Sequence, residues 1–363
     1  MKKIIAIVGA RPQFIKHFPL EKACEGKIEL ITVHTGQHYD TNMSEVFFDQ
    51  LGMNKPHYML NAGSGKHGVQ TAKMMIEIES LIEHEKPDGM IVYGDTNSTL
   101  AGALVASKLH VPIFHIEAGL RSFNREMPEE INRVLTDHIS KLLFVPSEVA
   151  KNHLSDEGLT KGVYIVGDIM KDVILYSKQN KLIKRPKVKE NYFYATLHRP
   201  YNTDQEQRLQ YVLDNLNKLH HKVIFSIHPR TKDAMKKFGM QEKIYKNIVF
   251  TNPQSYFDNL SYLAHSKGLI TDSGGMQKEA YWLKKQCVTI RTETEWEETL
   301  SNNWNTLVFE DLDKQIKIRS KEIRGPKTSA PEQALEGFLR SNKIEKKDLF
   351  KKKTEKDEFY FYK

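Results

Sequence analysis

The feature that most constrains the fold of this chain is an alternation of short apolar runs with segments of helical periodicity. Eleven runs have the length and composition of buried β-strands: Lys3–Val8, Leu30–His34, Gly89–Tyr93, Val111–Ile116, Leu142–Val145, Val163–Val166, Tyr192–Leu197, Val223–Ile227, Ile248–Phe250, Gly268–Ile270 and Cys287–Ile290. Helical segments separate most of them, for example Gly68–Glu85, Asp204–Leu219 and Gly275–Leu283. Strict alternation of strand and helix predicts an α/β fold with parallel sheets covered by helices on both faces.

The chain length predicts more than one domain, because 363 residues exceed what a single hydrophobic core usually supports. The stretch Lys178–Lys189 is polar, basic and interrupted by proline, which is typical of a linker. We therefore expect two doubly wound, Rossmann-like domains with a cleft between them, at residues 1–177 and 190–342. Residues 178–189 would be the linker, and residues 343–363 a charged C-terminal tail.

Composition excludes several classes of protein. The net charge is +8, of which the tail supplies +3 through eight lysines and five acids, and the remaining charge is dispersed, so we expect no nucleic-acid partner. No stretch approaches the roughly 20 apolar residues of a membrane span, and the apolar run after Met1 is too short for a signal peptide. Cys24 and Cys287 suggest neither disulfides nor a metal site, which favours a cytoplasmic protein.

Acidic residues follow two neighbouring strands within the segment Ile91–Ser140. Asp95 and Glu117 each come within two residues of a strand end, and Glu129–Glu130 follows Pro128, a residue suited to the first turn of a helix. Ligands of open parallel sheets bind beyond the carboxyl ends of the strands. Two arginines accompany the acids, Arg121 and Arg133. Because folding gains nothing from concentrating like charges in one crevice, the sequence predicts that the acids serve chemistry.

The segment Gly9–Lys16, GARPQFIK, connects the first strand to a helix. A helix start there presents free backbone N–H groups to an anion, and Arg11 and Lys16 would add charge and hydrogen-bond donors for a phosphate. An ordinary strand–helix turn with two surface cations is the alternative.

The segment Thr271–Gly275, TDSGG, also lies between a strand and a helix. Gly274 and Gly275 let a ligand approach the backbone, Ser273 can bond a phosphate oxygen, and Glu279, about one turn further on, can accept a ribose hydroxyl. We expect the chain to contain no G-x-G-x-x-G spacing of the kind found in dinucleotide-binding turns, which disfavours NAD. A simple helix N-cap and turn is the alternative.

Two histidines end strands at the same expected edge of the sheet. His198 is followed by Arg199, and His228 by Arg230 two residues later. A single histidine at a strand end is more often structural, but two with adjacent arginines favour an anion-binding cleft. Neither has the spacing of a metal ligand, so we expect no metal. Together, the diphosphate-binding groups and the facing acids favour proton transfer and elimination chemistry.

The ordered motifs GARPQFIK, TGQHYD, GDTNSTLAGA, HIEAGLRS, MPEEINR, LHRP and TDSGGMQKEA resemble those of the non-hydrolysing UDP-N-acetylglucosamine 2-epimerases, from about Lys3 to Asn305. The resemblance implies a GT-B fold with an interdomain active site, a homodimer, and no cofactor. It also implies elimination of UDP from the sugar, a 2-acetamidoglucal intermediate, and re-addition of UDP after proton return to the opposite face of C2.

The resemblance assigns roles to residues of this chain at matching positions. The catalytic residues would be Asp95, Glu117, Glu129 and His198. The residues that bind UDP and substrate would be Arg11, Lys16, His228, Arg230, Ser273, Gly274, Gly275 and Glu279, with Arg230 taken from the anion-cleft argument. The motifs do not say which acid removes the C2 proton.

Two departures from the family pattern affect regulation and substrate. Gln37-His38 continues with Tyr39-Asp40 instead of Arg-Gln, which puts allosteric activation by a second substrate molecule in doubt. The segment Arg291–Glu298 reads RTETEWEE where enzymes acting on the plain sugar tend to read TERP, and it resembles the branch acting on UDP-2,3-diacetamido-2,3-dideoxy-glucuronic acid. We expect UDP-N-acetylglucosamine as substrate, with the diacetamido uronate as the alternative. A GT-B glycosyltransferase and a hydrolysing epimerase are the competing functions.

Overall fold

The computed structural model describes residues 2–37, 52–310 and 312, without the side chains of Arg11 and Asn302. His38, Tyr39, Asp40 and the expected tail at 343–363 lie outside the described residues, as does all of 313–342. None of the helices in the described ranges is long and apolar enough to cross a membrane.

The N-terminal half contains a sheet of seven parallel strands: β1 (Lys2–Val8), β2 (Ile28–His34), β3 (Tyr58–Met59), β4 (Gly89–Tyr93), β5 (Ile113–Ile116), β6 (Leu142–Val145) and β7 (Val163–Ile165). Its helices are α1 (Arg11–Cys24), α2 (His67–Glu85), α3 (Asn97–Lys108), α4 (Pro128–Ile139), α5 (Glu148–Asp156) and α6 (Ile169–Gln179). The strand order is β3-β2-β1-β4-β5-β6-β7. The order reverses direction between β1 and β4, which is the arrangement of a doubly wound fold.

The C-terminal half contains a second parallel sheet, with β8 (Tyr192–Thr196), β9 (Lys222–Ser226), β10 (Ile248–Thr251), β11 (Leu269–Thr271), β12 (Cys287–Thr289) and β13 (Asn305–Leu307). Its helices are α7 (Pro200–Thr203), α8 (Glu206–Asn217), α9 (Pro229–Lys237), α10 (Tyr256–His265) and α11 (Gly274–Trp282), with 3-10 helices at Glu242–Ile244 and Glu297–Asn303. The order β10-β9-β8-β11-β12-β13 reverses direction between β8 and β11.

Burial explains why the central strands read as continuous apolar runs. All five residues of β4 are buried, because helices cover both faces of the sheet. Gly102 in α3 permits the close approach of helix and sheet, since a Cβ there would lie 3.0 Å from the Ile7 side chain and 3.3 Å from the Met90 sulfur.

The structure confirms the α/β fold class with two doubly wound sheets, and each of the eleven predicted strands corresponds to an observed one. Two further strands, β3 and β13, were not predicted. They have only two and three residues, too few for a period-2 pattern to be visible. Residues 180–191 lie between α6 and β8. The exact domain limits stay a prediction.

The two halves meet at several points. Helix α6 packs against both α1 and α11. Trp296 of the C-terminal half lies in a hydrophobic cluster with N-terminal residues that include Ala118, Leu120 and Leu154. Asn124 Nδ2 donates to Glu293 Oε1 at 2.8 Å. These contacts bring the carboxyl-end loops of the two sheets face to face.

Candidate active site

The reversal points of the two sheets gather most of the predicted site residues. In the N-terminal half, β1 leads to Gly9, β4 to Asp95 and β5 to Glu117. In the C-terminal half, β8 leads to His198 and β11 to Ser273. Reversal points of open α/β sheets are the positions where ligands bind.

Glu117 lies at the centre of the N-terminal part of the site. It is 8% exposed and its φ of +68° places it in the left-handed region, where a non-glycine residue is strained. Its Oε1 forms a buried ion pair with Lys16 Nζ, whereas Oε2 has no hydrogen-bond partner among the described residues. Burial raises the pKa of Glu117, the Lys16 ammonium opposes this, and the Asp168 and Asp95 carboxylates raise it further. A carboxyl group with a raised pKa and an unpaired oxygen is suited to proton transfer.

Gly94 lies directly beside this ion pair. A Cβ at this position would be 3.3 Å from both Glu117 Oε1 and Lys16 Nζ, and the residue has a φ of +58°. Both the backbone conformation and the close approach therefore favour glycine.

Arg133 joins two of the acids. Its guanidinium donates to Asp95 Oδ2 at 2.5 Å and to Glu130 Oε2 at 3.1 Å, and it is 2% exposed. Glu130 also accepts hydrogen bonds from the Ser122 and Phe123 backbone, so its role is structural. Its neighbour Glu129 has a 40% exposed side chain that lies in the cleft, with Oε1 3.9 Å from Arg199 Nη1 of the other half.

Arg121, expected to accompany the acids, points away from them. It is 1% exposed and donates to Asp137 Oδ2 at 2.7 Å and to Glu157 Oε1 at 2.6 Å. Asp137 also contacts His115 Nδ1 at 2.7 Å, and the other ring nitrogen of His115 contacts the Gly94 carbonyl oxygen at 2.8 Å. This buried network therefore supports the loops that carry the acids.

His198 is held by the buried carboxylate of Asp272. This residue belongs to the segment TDSGG, but it was assigned no role from the sequence. Asp272 accepts from the His198 and Arg199 backbone N–H groups at 3.0 and 2.8 Å, and its Oδ1 is 3.2 Å from His198 Nδ1. Burial opposes ionisation of Asp272, but the hydrogen bonds from His198, Arg199 and Asn202 prevail and lower its pKa. The rings of His198 and His228 lie 5.2 Å apart. Burial, followed by the proximity of His198, lowers the pKa of His228.

The start of α11 has the geometry of an anion-binding helix N-terminus. Ser273 is the N-cap, Gly274 is buried and Gly275 is exposed with open space where a Cβ would be. A Cβ on Gly274 would lie 2.3 Å from Glu295 Oε1. Glu279 lies further along the same helix and is 6% exposed. The backbone N–H groups of the first turn are therefore accessible to an anion at Gly275.

The structure describes the side chain of only one of the two predicted ligand-binding arginines. Arg230 forms an exposed ion pair with Asp204, with Nη2 2.7 Å from Oδ2. The side chain of Arg11 lies outside the described residues.

The expectation that the chain has no G-x-G-x-x-G spacing is wrong, because one occurs at Gly63–Gly68. It follows the short edge strand β3 and runs into the first turn of α2, so it does not lie at the reversal point of the sheet. The Gly63 carbonyl accepts from Gln70 Nε2 at 2.7 Å. Its position at the sheet edge does not match a dinucleotide-binding turn.

Sequence reasoning also missed a buried group from α11. Where the two halves join, Lys278 and Trp282 of this helix contact Asp168 of the N-terminal half. Asp168 comes two residues after the predicted strand Val163–Val166, so the rule that found Asp95 and Glu117 would have found it as well.

In the part of the chain that the structure describes, three of the buried polar atoms without a hydrogen-bond partner lie at this cleft. Among the described residues, Glu117 Oε2, Arg133 Nε and Arg199 Nε are buried without a hydrogen-bond partner. Buried polar groups are rarely left unpaired in folded proteins. Their presence on both sides of one cleft is consistent with a polar ligand between the two halves.

Comparisons with known proteins agree with the family that the sequence motifs resemble. A family model described as UDP-N-acetylglucosamine 2-epimerase matches residues 22–339. A UDP-N-acetylglucosamine 2-epimerase homolog of Methanococcus maripaludis is 48% identical, over 88% of this chain and 92% of that protein. A UDP-2,3-diacetamido-2,3-dideoxy-D-glucuronate 2-epimerase of Pseudomonas aeruginosa is 47% identical, over 84% and 88% respectively. The crystal structure of the Methanocaldococcus jannaschii UDP-GlcNAc 2-epimerase with UDP-GlcNAc and UDP superposes with a TM-score of 0.81 at 41% identity, covering 94% of this chain and all of that one.

Proposed function

Because this chain belongs to the UDP-N-acetylglucosamine 2-epimerase family, we propose that it inverts C2 of UDP-N-acetylglucosamine to give UDP-N-acetylmannosamine without hydrolysis. It is an isomerase of nucleotide sugars with the GT-B-like fold of its relatives. The observation that carries the proposal is Glu117, a strained, buried carboxyl with a raised pKa and one unpartnered oxygen.

The proposed reaction has two balanced steps. A carboxylate takes the proton from C2, the C2–H electron pair forms the C1–C2 double bond, and the C1–O bond breaks so that its electrons leave with UDP. In the second step the π electrons of the C1–C2 double bond take a proton from a carboxyl group on the opposite face of C2, and a UDP phosphate oxygen donates an electron pair to C1 to re-form the C1–O bond. Because the proton leaves one face and returns to the other, the reaction needs acid–base groups on both sides of the sugar.

We assign the acid–base work to Glu117, Asp95 and Glu129. Glu117 and Asp95 come from neighbouring strands of one sheet, and Glu129 comes from α4 across the crevice. His198 approaches from the other half, on the buried carboxylate of Asp272. A set of carboxyl groups in different environments can supply both an acceptor and a donor.

We assign UDP binding to the start of α11 and its surroundings. The first turn of this helix, with Ser273, Gly274 and Gly275, suits a phosphate, and Glu279 suits a ribose hydroxyl. The remaining residues proposed to contact UDP or the substrate are Arg11, Lys16, His228 and Arg230. Lys16, paired with Glu117, would contact the sugar–phosphate junction.

The diacetamido uronate remains the second candidate substrate. The observations that favour it are the 47% identity to the Pseudomonas aeruginosa enzyme and the segment Arg291–Glu298. Arg291 is 3% exposed, and its Nη1 lies 3.0 Å from Glu295 Oε2 beside the start of α11. This arginine would be near the substrate, where it could meet a sugar carboxylate.

We further propose a cytoplasmic homodimer that supplies an activated amino sugar for surface polysaccharide synthesis. Apolar side chains are exposed on α2 and α4, both of which pack near α3: Val69, Ile76, Ile131 and Leu135. Such exposed apolar groups are typical of interfaces. Free, buried Cys24 and Cys287 fit a reducing compartment.

The test is to incubate the protein with each UDP-sugar in deuterated water without an acceptor and to follow the products by NMR. The proposal predicts the C2 epimer with deuterium at C2 and UDP still attached. Faster turnover of the diacetamido uronate would favour the second substrate. Free UDP with free sugar would indicate hydrolysis, and no turnover of either substrate would contradict the proposed activity.

A further inference from the structure

Asp168 and Lys278 form a buried ion pair between the two halves. Lys278 Nζ lies 3.3 Å from Asp168 Oδ2, and both side chains are 2% exposed. Trp282, one turn further along α11, donates its Nε1–H to the same oxygen at 2.6 Å. The second oxygen, Oδ1, accepts from the Met170 backbone N–H at 2.9 Å and caps α6. Asp168 is therefore fixed by both halves at once.

The helix that holds Asp168 in this way is the one proposed to bind UDP. Lys278 and Trp282 lie on α11, whose first turn carries Ser273 and Gly275. Lys278 also pairs with Glu298 and lies 4.6 Å from the centre of the Trp296 ring. A displacement of α11 would therefore move the groups that hold the Asp168 carboxylate.

The same carboxylate also acts on the charge of Glu117, from two strands away in the N-terminal sheet. β5 and β7 end at one edge of the N-terminal sheet, and Glu117 and Asp168 follow these ends. The charged groups around Glu117 are Lys16 from α1, Asp95 after β4, and Asp168 at the start of α6. Those around Asp168 are Lys278 from α11 and Lys171 from its own helix. Asp168 is thus the one group in this set that contacts α11 and also acts on Glu117.

We propose that Asp168 is a positioning residue for the epimerisation, which links the UDP-binding helix to the electrostatic environment of Glu117. The inference rests on the proposed function, because it assumes that Glu117 exchanges a proton with the substrate. Lys278 and Trp282 fix the position of the Asp168 charge, and this charge favours the protonated form of Glu117. Closure of the two halves around UDP would thereby set the protonation of the catalytic carboxyl.

The test compares two carboxylates that share the same lysine. Asp168→Asn removes the negative charge near Glu117 and keeps an oxygen for the Met170 N–H. Glu298→Gln weakens the same lysine cluster, but the charges that act most on Glu117 are those of Lys16, Asp168 and Asp95. The pH profile of deuterium incorporation at C2 is measured for the wild type and both variants, with circular dichroism as the folding control. One part of this pH profile depends on the ionisation of Glu117. We expect it to move to lower pH in Asp168→Asn and to stay unchanged in Glu298→Gln.

A second readout does not depend on turnover. The carboxyl band of Glu117 is titrated by infrared difference spectroscopy, with Glu117→Gln in each background as the reference. The inference predicts a lower midpoint in Asp168→Asn only. An unchanged midpoint in Asp168→Asn, or an equal shift in Glu298→Gln, would overturn it. A shift in the infrared titration without epimer formation by the wild type would contradict the proposed function and leave the coupling intact.

Discussion

The Lys16 ammonium and the Glu117 carboxylate form a buried ion pair at the reversal point of the N-terminal sheet, and only one Glu117 oxygen is engaged in it. Lys16 arrives from the helix after β1 and Glu117 from the loop after β5. The pair therefore fixes the side chain while leaving Oε2 free to face a ligand.

We expect Glu117→Gln to abolish deuterium incorporation at C2, because an amide cannot exchange the proton. UDP binding, measured by calorimetry, should be largely retained, since the proposed UDP-binding turn lies on α11. Glu126→Gln, an exposed acid on the same segment, is the matched control and should keep full exchange. Loss of folding in Glu117→Gln would instead indicate a structural role for Glu117.

The residues of this site differ in how far the sequence could predict them. Asp95, Glu117 and His198 were placed correctly at strand ends, because parallel strands deliver their carboxyl ends to one edge. The sequence could not distinguish Glu129, which faces the cleft, from Glu130, which bonds the Ser122 backbone. Their different roles depend on the direction of each side chain relative to distant segments.

The same limit applies to Arg121. Its partners Asp137 and Glu157 are 16 and 36 residues away in the sequence. The local sequence pattern therefore could not show that the Arg121 side chain points away from the cleft. The pairing of Asp168 with Lys278 crosses two halves of the chain, and no local spacing encodes it. Strands β3 and β13 were missed because their positions depend on pairing with β2 and β12.

We expect Asp272→Asn to destabilise the protein by about 1–3 kcal/mol, because Asp272 is a buried acceptor for several donors. The folded-state pKa of Asp272 lies below its ordinary value of 3.8. Its contribution to stability is therefore present above that value and is lost as the pH falls through the lowered pKa. The free energy of unfolding is measured in urea from neutral to acid pH. It should fall less with decreasing pH in Asp272→Asn than in the wild type. An identical acid dependence in wild type and variant would contradict this assignment.

The two glycines of α11 should respond differently to alanine. Gly274→Ala places a Cβ 2.3 Å from Glu295 Oε1, a side chain held by Arg291, so we expect a cost of roughly 1–3 kcal/mol from overpacking. Gly275→Ala meets no atom within 4 Å and should keep the wild-type melting temperature. It should nevertheless weaken UDP binding, because the methyl group would occupy the space beside the proposed phosphate. Unchanged UDP affinity in Gly275→Ala would argue against the proposed phosphate position.

We expect Ile76→Glu to shift the protein from dimer to monomer in analytical ultracentrifugation. Ile76 is 66% exposed on α2, and a charge in an apolar interface is costly to desolvate. Ile244→Glu is the matched control, because Ile244 is 56% exposed on a 3-10 helix of the other half and should leave the dimer intact. A wild type that sediments as a monomer would contradict the proposed dimer, and a dimeric Ile76→Glu would place its interface elsewhere.

The Trp296 side chain should contribute to holding the two halves together. It is 5% exposed and packs in a cluster with Ala118, Leu120 and Leu154 of the N-terminal half. Trp296→Ala removes a large buried aromatic group, and truncations of this size cost about 3–5 kcal/mol. Because the cluster lies between the halves, we expect the variant to separate the unfolding of the two sheets into distinct transitions in calorimetry. The KM for the UDP-sugar should rise more than kcat falls, since closure would have to be driven by the substrate.

Trp296→Phe keeps most of the apolar volume and should restore a single transition. A single transition with unchanged KM in Trp296→Ala would show that this contact does not couple the two halves.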